Sequence, residues 1–296
     1  MKTPLQTPPA PPVARQTFCA PASFPFVEVR TTLASTRPYA EHVHSAFSLG
    51  LILEGGTRFS LRGSLHEAQA GDMALIAPGM PHSCNPLEGK PRGYHMAYFE
   101  PIWFMRRICR PLGLLPAYAV ATPVVRDAAL FAEALAALRA FCDEKADAEE
   151  LFVAFFTRLQ TAHACLVAAP AAISDGGLTR RGVCPSPARL LRAFRSAEGL
   201  PERAPVTTLA RKAGLRRESF SRAFRRAAGL PPEAWLHSLR LEKARALLRQ
   251  GKSITEAALA VGYADQSHFH RMFVKFFSVT PGGYQRGRSH SFKTPR

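Results

Sequence analysis

His42 and His44 stand two residues apart, and His82 follows after a series of short apolar stretches. On an extended strand residues i and i+2 share a face, so the first two imidazoles point the same way. A third ring brought beside them supplies three nitrogens, enough to hold a divalent transition metal. The same rings serve equally as polar lining of a small-molecule pocket, or as structural histidines bonded to backbone carbonyls. A second chemically useful set lies far downstream. Gln266, Ser267, His270, Arg271 and Lys275 face away from an apolar stripe of Phe269, Met272, Phe273 and Phe276. Amide, hydroxyl, imidazole and guanidinium groups on one helix face suit base edges and phosphates.

The elements that must position this second set are written locally. Ser253 and Glu256 have the spacing of a capping box, which starts a helix. Ile254, Ala257, Ala258 and Val261 give it an apolar stripe, Gly262 supplies the turn, and Asp265 can cap the helix that follows. The pattern occurs once before. Val206, Leu209, Ala210, Ala213 and Gly214 precede their counterparts by 48 residues, and Phe220, Arg222, Phe224, Pro232 and Trp235 precede theirs by 49. Between the copies, Pro232 to Gly251 reads as one linking helix, with Leu236, Leu239, Ala244, Leu247, Leu248 and the stem of Lys243 on one side. Charge follows the repeat. From Ser186 onward there are 22 Lys and Arg against 7 Asp and Glu, so 22 − 7 = +15 of the net +17 falls there. That is the footprint of a phosphate-backbone binder.

Upstream the period changes to two. Candidate strands run over 26–33, 47–54, 57–62, 73–77 and 94–99, separated by Gly, Pro and Asn turns, which means a barrel or sandwich. Two amphipathic helices follow at 127–144 and 147–167, an antiparallel hairpin that packs on the barrel and whose Phe152, Phe155 and Phe156 offer area for a dimer contact. Residues 1–25 carry seven prolines and read as a flexible arm, and 169–185 as a linker. A helix over 186–198 is expected to open the basic domain. The six cysteines have no C-x-x-C or close spacing, so neither a zinc knuckle nor a disulfide framework is expected. The N-terminus is too proline-rich for a signal peptide, and no apolar run approaches the ~18 residues that span a membrane. A cytoplasmic protein is expected.

The tandem motif, LRLEKARALL (239–248), VGYADQSHFHRMF (261–273) and TPGGYQR (280–286) resemble the AraC/XylS family of transcription regulators over the last third of the chain. Two positions depart from that pattern: Ser278 stands where a Gly is usual, and Arg216 where a Ser cap is common. Further upstream, GDMALIAPGMPHSCN (71–85) preceded by HVH (42–44) resembles the cupin barrel that senses effectors in many such regulators. Metal cupins add a carboxylate just after the paired histidines, and SAFSLG (45–50) has none, so no metal is assigned. The resemblance implies two domains: a mainly β, cupin-like barrel with a helical hairpin over 26–168 for sensing and dimerisation, and an all-α tandem helix-turn-helix over 186–296. It places Glu218, Ser221, Arg222, Gln266, Ser267, His270 and Arg271 on groove-facing positions, and His42, His44, His82 and His95 about an effector. The function implied is a DNA-binding regulator, an activator by preference, working as a homodimer with promoter DNA, RNA polymerase and a small-molecule effector. No catalytic residue, cofactor or membrane contact is implied. The alternatives are an effector-independent regulator whose barrel only dimerises, and a metal-binding cupin enzyme.

Overall fold

The computed structural model describes residues 15–61, 63–115, 118–168 and 206–286. The helix expected over 186–198 and the linker at 169–185 lie outside these. In the N-terminal half, strands β1 (Arg15–Cys19), β2 (Val27–Ser35), β3 (Phe47–Glu54), β4 (Gly56–Leu61), β5 (Ser64–Gln69), β6 (Met73–Ile76), β7 (His82–Pro86) and β8 (Arg92–Phe99) form the barrel walls. A six-stranded sheet has the order β1-β2-β8-β3-β6-β10, where β10 is Val124–Val125 and β9, Tyr118–Val120, lies outside it, and it faces a three-stranded sheet β5-β4-β7. All the pairings within both sheets are antiparallel.

Strands of the large sheet are buried on both faces, and the alternation sorts their side chains. Ile52, Phe59, Ala74, Tyr94 and Met96 pack between the sheets. Val29, Leu49, Leu51, Leu75, Ala97 and Phe99 pack outward with Phe104 of the short helix α1 (Pro101–Phe104), under the hairpin of α2 (Ala128–Cys142) and α3 (Ala148–His163). There Phe152, Phe155 and Phe156 are 0%, 1% and 0% exposed. Phe99 lies 5.1 Å edge-on from both Phe152 and Phe156. These rings are consumed by their own barrel, so the dimer contact expected of them is corrected: as packed, they present no surface to a partner.

Two further expectations are corrected at the N-terminus and the sheet edge. Arg15–Cys19 is not loose arm but strand, paired with β2 from Arg15↔Leu33 to Cys19↔Val29. Prolines stop at Pro12 before this segment, and the long β2 would otherwise leave a sheet edge open. Ser64–Gln69 forms an edge strand that its polar composition hid; Leu65 on it is 69% exposed.

The C-terminal helices are α4 (Val206–Lys212), α5 (Arg217–Ala228), α6 (Pro232–Arg249), α7 (Ile254–Ala260), α8 (Gln266–Phe277) and α9 (Pro281–Arg286). Each repeat has its own aromatic core: Phe220, Phe224 and Trp235 in the first, Phe269, Phe273 and Tyr284 in the second. The linking helix α6 buries Trp235, Leu236, Ser238, Leu241, Ala244 and Leu248, more than one stripe. It touches both repeats and the barrel. Two barrel residues complete the C-terminal cores, Val43 in the first and Phe18 in the second, with Phe18 4.7 Å from Tyr284. The halves approach closely at Gly229, which ends α5 with φ 80°; a Cβ there would lie 2.9 Å from Pro81 Cγ of the barrel.

Candidate nucleic-acid interface and effector cavity

The recognition surface is set by caps and turns. Ser253 Oγ accepts from Glu256 N at 3.2 Å while Glu256 Oε2 accepts from Ser253 N at 2.9 Å, closing the capping box that starts α7. Gly262 turns the chain with φ 81°, and Asp265 Oδ1 accepts from His268 N at 2.7 Å to start α8. With Phe269, Phe273 and Phe276 turned inward, Gln266, Ser267, His270 and Arg271 are exposed together. On α5, burial of Phe220 and Phe224 leaves Glu218 and Arg222 exposed and Ser221 half-buried. All seven expected groove-facing residues thus sit on the outer sides of α5 and α8. Lys275, Arg225 and Arg226 add exposed cations beside them. The two departures from the family pattern are visible locally. Arg216 at the start of α5 makes no side-chain cap bond, and Ser278 at the end of α8 is left-handed at φ 55°.

In the barrel, three of the four expected histidines meet. Reciprocal backbone bonds of 2.9 Å join His42 and His82, placing their rings 4.3 Å apart, and the His44 ring is 4.7 Å from that of His82. The Nδ1 atoms of His42, His44 and His82 lie 2.8 to 2.9 Å from the carbonyl oxygens of Ala40, Ala46 and Met80 respectively. A carbonyl only accepts, so each Nδ1 carries the proton and each Nε2 is left as an acceptor. Burial pushes His82 down to about 4, with the positive Arg30 nearby adding to the shift. Burial, then the neighbouring imidazoles, hold His42 and His44 well below the ordinary value. Among the described residues no cluster of three His, Cys, Asp or Glu is arranged to hold a metal ion.

The fourth histidine is elsewhere. His95 alternates with Tyr94 and Met96 on β8, so it points away from the cavity, toward α2, with Nδ1 2.8 Å from Thr31 Oγ1. Parity on the strand decides this, because Tyr94, Met96 and Tyr98 take the inner face. The cavity those residues share with the three histidines also contains Arg30, Tyr39, Thr57, Cys84 and Arg92, which the histidine-centred reading missed. A signal was present for one of them: Arg92 shares its strand parity with Tyr94, Met96 and Tyr98, whereas Arg30 lies between Glu28 and Thr32 on its face and gave none. The space open to water-sized molecules is about 30 Å3, room for one or two waters.

A larger cleft of about 500 Å3 lies between barrel and α6, lined among others by Glu28, Tyr98, Glu242, Arg245, Arg249 and Tyr284. Its polar groups bind one another. Tyr284 Oη donates to Glu28 Oε2 at 2.5 Å, and Arg245 and Arg249 lie 3.5 and 3.9 Å from the same carboxylate. Size alone would favour this cleft as a receptor site, but its charged groups already pair with one another across the boundary, which makes it a joint between domains.

An AraC-like ligand binding domain model matches residues 28–155, and a helix-turn-helix domain model matches 209–287, well over half of the chain between them. The chain belongs to the AraC family. RclR, an RCS-specific HTH-type transcriptional activator of Escherichia coli (strain K12), is 41% identical over 81 residues, 27% of this chain and 28% of RclR. The alignment thus spans less than a third of that relative. YbfI, an uncharacterized HTH-type transcriptional regulator of Bacillus subtilis (strain 168), is 23% identical over 237 residues, covering 78% of this chain and 81% of YbfI. Among solved structures, unsaturated fatty acid bound wild-type ToxT from Vibrio cholerae strain SCE256 matches with TM-score 0.55 and 12% identity, over 95% of this chain and 98% of ToxT. An apo form of ToxT gives TM-score 0.58 at 11% identity, over 89% and 98%. At that identity the likeness shows a shared two-domain fold. No helix among the described residues is long and apolar enough to cross a membrane.

Proposed function

We propose that this chain is a promoter-binding transcription regulator in which a small molecule in the barrel cavity biases how the two recognition helices engage DNA. The observation that carries it is the two-sided segment His42 to Ser45. His42 and His44 enter the cavity, while Val43 N donates to Ser238 Oγ at 3.4 Å and Ser45 N to both carboxylate oxygens of Glu242 at 3.0 Å. Ser238 and Glu242 belong to α6, the helix that spaces the two DNA-reading units. A ligand that repositions the histidines therefore pulls on that helix. Tyr98 gives a second connection, its ring 5.6 Å from the Arg30 guanidinium in the cavity and 4.9 Å from that of Arg245 on α6. Activation is the favoured output, since RclR is named as an activator, and it makes RNA polymerase the protein partner at the promoter.

With 18 residues, α6 is about 27 Å long at ~1.5 Å per residue. Adding the width of the flanking helices, α5 and α8 reach successive major-groove segments ~34 Å apart on one face of the duplex. Arg222 and Arg271 each either fork a guanine, worth ~1–3 kcal/mol at a single base pair, or hold a phosphate, whose loss weakens binding to all sequences alike. The test is a gel shift on a promoter selected from random DNA, compared with the same site carrying about five extra base pairs between its two boxes. Binding should collapse when one box is rotated by half a turn. Undiminished binding would show that the two units do not act together.

A further inference from the structure

The cavity holds two buried cations that nothing among the described residues neutralises. Arg30 and Arg92 are 6% and 1% exposed, and neither has a carboxylate ion partner. Arg92 donates to Thr57 Oγ1 and, at 2.8 Å, to the Cys84 carbonyl, and Arg30 reaches only the Tyr94 hydroxyl at 3.5 Å. The Nε of each has no hydrogen-bond partner. The two guanidiniums flank the same pair of rings: Arg30 is 5.3 Å from Tyr39 and 5.6 Å from Tyr94, and Arg92 5.8 and 5.2 Å. Aromatic faces stabilise a cation far less than a carboxylate does in a dry site. A buried guanidinium pair with free N–H groups is an anion receptor, because Arg presents its donors in a fork that fits a carboxylate. Across the cavity the Nε2 atoms of His42 and His82 are acceptors, their Nδ1 protons being committed to backbone carbonyls, while His44 Nε2 already accepts from Ser48 Oγ at 3.2 Å. Acceptors repel an oxyanion and call for a hydroxyl.

We infer that the cavity binds a compact hydroxycarboxylate, its carboxylate on Arg30 and Arg92 and its hydroxyl on the histidine side. This rests on the effector reading above and specifies its chemistry. The open space, about 30 Å3 as packed, holds one or two waters, so even an acid the size of glycolate or lactate enters by displacing them and moving the lining side chains outward, and longer acids are disfavoured.

Thermal unfolding of the full chain is measured with probes matched in shape: lactate and glycolate, their neutral amides, and the deoxy acids propionate and acetate, each at about 10 mM. The hydroxy acids should raise Tm by a few degrees, the deoxy acids by less, and the amides not at all. Arg30→Gln should abolish the preference for acid over amide, and His82→Phe the preference for hydroxy over deoxy acid. Should Arg30→Gln fail to fold, Arg30→Lys keeps the charge without the fork, and it should retain the acid preference with reduced affinity. If amides act as strongly as acids, the anion assignment is overturned while the receptor reading stands. If no acid raises Tm, or if Arg30→Gln keeps the preference, the inference is overturned; DNA binding and its dependence on box spacing would be untouched.

Discussion

Replacing Tyr284 by Phe removes one hydroxyl and nothing else, which makes it the cleanest probe of how the halves are joined. Its Oη sits 2.5 Å from Glu28 Oε2, and the two residues are 0% and 2% exposed. Burial, then the Glu28 carboxylate, hold the phenol well above its ordinary value, so it stays a donor across the working pH range. A hydrogen bond to a charged group contributes about 1.5–3 kcal/mol, and Tyr284→Phe should cost that much. Glu28→Gln should cost more, about 3–5 kcal/mol, because it also strips the ion partner from Arg245, itself only 15% exposed. The decisive quantity is the coupling between them. In a double-mutant cycle read by urea unfolding of the full chain, the second change should cost about 1–2 kcal/mol less once the first is present. Strictly additive costs would mean that the hydroxyl and the carboxylate do not meet, and the docking of α9 on β2 would have to be given up.

Acid should weaken the barrel before it weakens the DNA-binding helices. His82 falls to about 4 in the folded state, so above pH ~6.5 neither state binds its proton, and as pH drops toward about 4 only the unfolded chain does. Stability is therefore full above ~6.5 and falls by about 3 kcal/mol from this residue alone, with His42 and His44 acting in the same direction; barrel tryptophan fluorescence at Trp103 against pH checks it. Ser278→Gly relieves a left-handed residue, and Arg216→Ser supplies a missing cap; each should stabilise by about 1 kcal/mol in chemical denaturation. Phe156→Ala should cost about 3–5 kcal/mol and lower the circular dichroism signal, whereas a folded monomer produced from a dimer by sedimentation would contradict its placement in the barrel core.

The DNA-binding half was readable because its determinants are local. A cap, an apolar stripe, a glycine and a second cap lie within about one turn of what they control, and the repeat states the message twice. The linking helix was read less well, since burial of Leu241 on a side outside the expected stripe comes from contacts made on several sides. The barrel yielded its strands but not its interior. Arg30, Thr57, Cys84 and Arg92 come from four strands, and only the sheet register brings them together. His95 shows how narrow the margin is: one position of parity separates the cavity from the hairpin. Phe18 and Val43 could not be read as members of the C-terminal cores, because a single apolar residue in a strand or a loop carries no address.

The placement of α6 has a consequence for how such a protein could answer its signal. It separates the two reading units, and it is also the surface on which the barrel rests. If the cavity acts on this helix as proposed, bending or twisting it would change the angular phase between two grips on the duplex. Neither grip need be gained or lost. Promoters whose boxes are slightly over- or under-wound relative to one another would then be sorted by the same signal in opposite directions, so a single effector could strengthen occupancy at one site and weaken it at another without any change in the bases read.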